Sequence, residues 1–232
     1  MTNLNRALIA DIPVFEGLSG KELDEIVGLA RSARYPQDTA VFEQDSEAHA
    51  FFLLLDGHIR VVRTTPSGAK IIARYIPAGE LFGIAAALGR NTYPATAIAA
   101  VECVALVWPS SAWAHLSSRF PAFRAGTYQT VASRLEDAQS RVAELATERV
   151  EQRVANAMIR LVEQSSRESE EGIAIDFPLS RENIAEMTGT TLHTVSRLLS
   201  NWEKQGWIAG GRQRVIVKDR AALMRLATRS QR

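Results

Sequence analysis

The spacing of apolar positions changes its period along the chain, and each change predicts an element. In "SGKELDEIVGLA", Leu23, Ile26, Val27 and Ala30 recur at helical intervals, which predicts a short amphipathic helix. From about Asp38 to Trp108 the signals become those of strands. In "FFLLLDGHIRVVRTTPSGAKIIARY", two β-rich runs flank Asp56-Gly57, and a Pro66-Ser67-Gly68 turn precedes a third run. "IPAGELFGI" and "YPATAIAAVECVALVWP" extend the same texture. Short strands broken by glycine and proline predict a small antiparallel sandwich or barrel.

From about Pro121 to Thr147 the period lengthens. Tyr128, Val131, Leu135, Ala138, Val142 and Leu145 follow one another at spacings of 3, 4, 3, 4 and 3. Arg134, Glu136, Asp137, Arg141 and Glu144 fall between them. A narrow stripe of this kind suits a long helix that pairs with a second copy of itself, so a homodimer is expected.

Next comes "TERVEQRVANAMIRLVEQS", a predicted helix with Thr147 as its cap. "SRESEEG" reads as a polar loop, and "LSRENIAEMTG" as a further helix. Counting from Arg181, the small Ala185 is fifth, Gly189 ninth and Val195 fifteenth. Those positions are, in turn, the close approach of two helices, the turn between them, and a compact apolar contact on the second. The pattern is a helix-turn-helix, with Thr191 capping the second helix and Gly206 ending it. "WIAGGRQRVIVKD" adds a strand-like hairpin turning at Gly210-Gly211, which makes it a winged helix-turn-helix. Thr191, Leu192, His193, Ser196 and Arg197 then line the outward face at the start of the second helix, where a reader of the major groove makes its contacts. Arg197 suits bidentate pairing with guanine, and Arg212 and Arg214 decorate the wing.

Charge sharpens this picture. The net charge of +1 divides unevenly: residues before Arg149 hold 13 Lys+Arg against 16 Asp+Glu, and those from Arg181 onward hold 10 against 4. A basic carboxyl-terminal module on a near-neutral partner points to double-stranded DNA. The lone Cys103 excludes an internal disulfide and a four-thiolate cluster. No apolar run suits a secretory signal or a membrane span, so a cytoplasmic protein without membrane contact is expected. No paired-carboxylate, Cys/His or phosphate-loop constellation is present, and "GLSGKEL" lacks the P-loop spacing, so an enzyme is not expected. A purely effector-binding module is the alternative, but it would leave the winged helix-turn-helix without a purpose.

Four features in order carry a family resemblance: strands ending in "GEL" (Gly79, Glu80, Leu81), the long helix, "TVSR" (Thr194 to Arg197) and the "GGR" wing. Over nearly its whole length the chain resembles the Crp/Fnr superfamily of bacterial transcription regulators. The resemblance implies an α+β chain made of a cyclic-nucleotide-binding-like antiparallel β-roll over residues 1–120, a dimerisation helix over 121–147 and a winged helix-turn-helix over 148–232. It implies a small-molecule effector, and bound dimers that contact RNA polymerase; operator position then decides activator or repressor. Ser196-Arg197 is similar to the Fnr branch, whose target resembles TTGAT-N4-ATCAA, except that His193 stands where that branch has glutamate. "TTLHTVSRLLSNWEKQGW" with "GGRQRV" looks most like the nitric-oxide and denitrification-responsive (Nnr/Dnr-type) subgroup.

By the same resemblance the effector pocket would involve Gly79, Glu80, Leu81, Tyr93 and Pro94. Cyclic AMP is not expected, because cyclic-nucleotide binders carry an Arg-Ser or Arg-Thr pair where this chain has Tyr93-Pro94. The amino-terminal cysteine group of the iron–sulfur oxygen sensors is absent, so no such cluster is expected. Haem with nitric oxide remains, with His49, His58 and His115 all open as axial ligands.

Overall fold

The computed structural model describes residues 9–211 and 213–228. The chain forms two compact units: Met1–Arg63 with Ile76–Ala138, and Thr64–Tyr75 with Gln139–Arg232. The architecture is α+β, with a β-rich amino-terminal portion, a long helix and a carboxyl-terminal helix-turn-helix.

In the first unit, helix α1 (Gly20–Gly28) begins at a reciprocal cap. The Glu22 amide donates to Ser19 Oγ at 3.4 Å, and the Ser19 amide donates to Glu22 Oε2 at 2.8 Å. The strands follow in chain order: β1 (Arg31–Tyr35), β2 (Ala40–Phe42), β3 (Ala50–Asp56), β4 (His58–Thr64), β5 (Lys70–Pro77, most of which falls within the second unit), β6 (Leu81–Phe82), β7 (Thr96–Ala99) and β8 (Cys103–Pro109). One antiparallel sheet runs β1-β8-β3-β6; β2, β7 and β4 are neighbours in another. Strand β1 lies before the stretch that reads as strands in the sequence. Its side chains are mostly exposed and polar, so it carries no apolar alternation, yet it pairs in register with β8 from Arg31↔Val107 to Tyr35↔Cys103.

Two apolar clusters fill the unit. In one, Trp108 is fully buried, stacks on Phe51 at 5.3 Å and donates its indole N–H to the Ile26 carbonyl at 2.8 Å, tying β8 to α1. The other gathers Phe52, Phe82 and Tyr93, with Phe42 packed against them. The Tyr93 ring stacks on Phe42 at 3.8 Å, and its hydroxyl donates to the Ala50 carbonyl at 2.6 Å while accepting from the Ala50 amide at 3.1 Å.

Cys103 belongs to this second cluster. Its Sγ lies 3.3 Å from the His58 carbonyl and 3.2 Å from that of Val101, and burial pushes the thiol above its ordinary range. The folded protein is therefore expected to resist Ellman's reagent, and the guanidinium-unfolded protein to release one equivalent of thiolate. Rapid labelling of the folded chain would show that β8 opens in solution.

Helix α2 (Ala112–Arg119) leads into α3 (Pro121–Thr147), whose limits match those expected for the long helix. Along α3, Tyr128, Leu135, Val142 and Leu145 are 49%, 59%, 66% and 54% exposed, and Ala138 is exposed as well. Val131 departs from the expected seam. It is partly buried and packs on the core cluster around Trp108, because the first half of α3 must also cover its own unit.

The second unit continues with α4 (Val150–Gln164), β9 (Ser166–Ser169), β10 (Gly172–Ile175), α5 (Arg181–Thr188), α6 (Leu192–Lys204), β11 (Ile208–Gly211), β12 (Arg214–Val217) and α7 (Arg220–Ala227). Its sheet order is β11-β12-β10-β9. Two sequence expectations change here. Thr147 does not cap α4: it ends α3, with its hydroxyl donating to the Ala143 carbonyl at 2.8 Å. Arg149 is the cap residue, and its amide donates to Gln152 Oε1 at 3.1 Å. "SRESEEG" is not a loop but mostly strand β9, paired with β10 from Gly172↔Ser169 to Ile175↔Ser166. As an edge strand it carries polar side chains throughout, which suits an edge and hides the alternation.

Candidate nucleic-acid interface

The site is built by two short helices and the turn between them. Helix α5 starts at Ser180, whose hydroxyl accepts from the Asn183 amide at 3.0 Å, while Asn183 Oδ1 accepts from the Ser180 amide at 3.1 Å. It ends at Gly189, with φ at 61°, the left-handed conformation that glycine adopts without penalty. A Cβ there would also lie 3.2 Å from a Leu145 methyl. Thr191 then caps α6, its hydroxyl accepting from the Thr194 amide at 3.2 Å. After α6, Gly206 has φ at 72° and lets the chain leave the helix.

Helix α6 is strongly two-faced. Val195, Leu198, Leu199 and Trp202 are buried, as are Ile184 and Ala185 on α5. Thr191, Leu192, His193 and Arg197 are exposed, and Ser196 is half-buried beside them. The turn is braced from behind by Arg153. Its Nε donates to the Thr188 carbonyl at 3.1 Å, and its second guanidinium nitrogen donates to the Glu148 carbonyl at 3.0 Å. Arg181 contributes no outward charge: it donates to Ser200 Oγ at 3.3 Å and pairs with Glu203 at 3.1 Å. Arg197 keeps its guanidinium in the open on the outward face.

In the wing, Val215, Ile216 and Val217 are buried while Arg214 is exposed. Arg212 lies outside the described residues. Gly210 and Gly211 belong to strand β11 rather than to the turn, paired with Val215 and Arg214. A Cβ on Gly210 would meet the Arg214 carbonyl at 2.8 Å, so the glycine serves close strand approach.

The residues expected at the effector pocket have mixed placements. Leu81 and Tyr93 are core residues, and Pro94 is exposed. Gly79, with φ at 87°, donates its amide to the Leu54 carbonyl at 2.8 Å. Glu80 accepts from Arg134 at 3.3 Å, and the same guanidinium also donates to the Leu81 carbonyl. The three candidate haem ligands differ in exposure. His49 is exposed, 3.7 Å from Glu47; His115 is exposed on α2; and His58 is half-buried at the start of β4. Among the described residues, no group of three or more His, Cys, Asp and Glu is arranged to hold a metal ion, and no helix is long and apolar enough to cross a membrane.

Sequence reasoning missed a concave groove of about 710 Å³ beside α6, lined by Arg149, Thr194, Arg197, Ser200, Asn201 and Lys204 among others. Arg197, Asn201 and Lys204 sit at i, i+4 and i+7, a spacing readable in the sequence. Arg149 joins them from α4, a tertiary placement no local spacing reveals.

Two family models match the chain in order: the cyclic nucleotide-binding domain over residues 32–120 and the Crp-like helix-turn-helix domain over residues 152–226. The chain is 28% identical to the cyclic AMP receptor protein of Thermus thermophilus, over 93% of this chain and 96% of that one. Its structure is similar to that of a CRP-family transcriptional regulator from Thermus thermophilus, with a TM-score of 0.73 at 28% identity, covering 85% and 97% of the two chains. FixK2 from Bradyrhizobium japonicum shares the fold, with a TM-score of 0.76 at 20% identity over 87% and 99%. A cyclic-nucleotide-binding-like domain, a long helix and a Crp-like reader follow one another here, and with them the chain belongs to the Crp/Fnr family of DNA-binding transcription regulators.

Proposed function

We propose that the protein acts as a homodimer on a palindrome resembling TTGAT-N4-ATCAA, contacting RNA polymerase from the bound site and responding to a small-molecule effector. The observation that carries this reading is the two-faced α6. Its buried side fixes the helix to α5, and its opposite face presents His193 and Arg197 beside a capped start. Such a face suits major-groove edges, with Arg197 on guanine. The exposed seam of α3 supports dimerisation, and two-fold symmetry in the protein matches a palindromic operator.

Fluorescence anisotropy of the palindrome against a scrambled duplex tests the reading. Arg197→Ala is expected to cost about 1–3 kcal/mol on the palindrome and little on scrambled DNA. Equal losses on both would remove Arg197 from base reading.

For the effector, the likeness of the recognition helix to the nitric-oxide-responsive subgroup motivates haem-based sensing, whereas the exposed His49 and His115 weigh against it. A haem titration of purified protein, read at the Soret band, decides: a stoichiometric complex supports the sensor, and free haem alone removes it. Any effector must bind the DNA-competent arrangement more tightly than the other in order to switch the protein on.

A further inference from the structure

The groove beside α6 runs from Arg197, the proposed base reader, toward the carboxyl end of the helix at Lys204. Its lining holds three cations, Arg149, Arg197 and Lys204, and one carboxylate, Glu151. That carboxylate accepts from the Trp202 indole N–H at 3.4 Å, and Arg149, Arg197, Asn201 and Lys204 are all exposed. Thr194, Ser200 and Asn201 add hydrogen-bonding groups. The lining as a whole is that of an anion site elongated along a helix.

Direction follows from helix geometry. If the amino-terminal residues of α6 meet base edges, the rest of the helix must climb out of the groove. From Arg197 to Lys204 the helix rises about 10 Å, at 1.5 Å per residue. Asn201 and Lys204 therefore stand where the duplex presents its sugar–phosphate rim, and Arg149 converges on them from α4. We propose that this groove seats the DNA sugar–phosphate backbone at the edge of the half-site, with Arg149 and Lys204 as phosphate contacts that read no sequence. The inference rests on the DNA-binding reading above.

The test measures affinity across a salt series for the palindrome and a scrambled duplex, using the full-length protein. Each phosphate contact contributes about 0.9 to the slope of log affinity against log salt. In the dimer, Arg149→Ala with Lys204→Ala removes two contacts from each protomer, and is expected to lower the slope by about 3.6 and to weaken both duplexes by the same factor, on the order of a hundredfold. Exchanging the two cations, Arg149→Lys with Lys204→Arg, should restore the slope, which separates charge from folding. The cap of α4 is made by the Arg149 amide, so the substitutions spare it. An unchanged slope, a loss confined to the palindrome, or a slope not restored by the exchange would overturn the phosphate role while leaving wild-type palindrome binding intact. A wild-type protein with no salt-dependent binding to either duplex would remove the DNA-binding reading itself.

Discussion

Glutamate at both Leu135 and Val142 is expected to yield a folded monomer in sedimentation equilibrium, and to weaken binding to the palindrome by at least about a hundredfold. The two side chains are 59% and 66% exposed on α3 and stand one heptad apart. Because neither is buried in its own chain, the substitutions should cost each fold little, within about 0.5 kcal/mol per site. In a paired helix the same changes bring four carboxylates into one apolar seam, where they repel one another and lose their water. The DNA effect is larger than any single contact because two linked readers gain by effective concentration, typically about 10²–10⁴. Val131→Glu is the control: Val131 packs on the core cluster around Trp108, so that variant should lose thermal stability whether or not it dimerises. A dimer that survived the double substitution would place the partner surface elsewhere.

Much of this architecture was legible because its signals are local. The ends of α3 and the turns at Asp56-Gly57 and Pro66-Ser67-Gly68 follow from period and turn chemistry. Gly189 and Thr191 were readable as turn and cap because both roles depend on backbone conformation and a short polar side chain. The losses occurred where tertiary context decides. Strands β1 and β9 carry polar side chains, and their partners β8 and β10 supply the apolar faces. Val131 shares the heptad spacing of its neighbours, and only the first unit's own core shows that it faces inward. Arg149 and Lys204 are 55 positions apart in the sequence and meet only across the groove. The effector is the least legible part, since Glu80, Arg134 and Tyr93 form bonds within the fold that no spacing announces.

Trp202→Ala is expected to lower the stability of the second unit by about 3–5 kcal/mol, the usual cost of emptying a large aromatic site. Its ring is fully buried, its indole N–H reaches Glu151, and Trp207 lies 6.4 Å away between ring centres. In a unit of this size, that loss should depress the melting temperature by at least about 10 °C. The comparison with Arg197→Ala separates two ways of losing DNA binding. Arg197 is exposed, so its removal should leave the melting temperature unchanged and affect only the palindrome. Trp202 holds α6 in place from its buried side, so its removal should weaken palindrome and scrambled duplex together, and low temperature should restore part of both. If Trp202→Ala instead kept its melting temperature and lost only specificity, the buried face of α6 would have to be a reading surface, and the assignment of its two faces would be reversed.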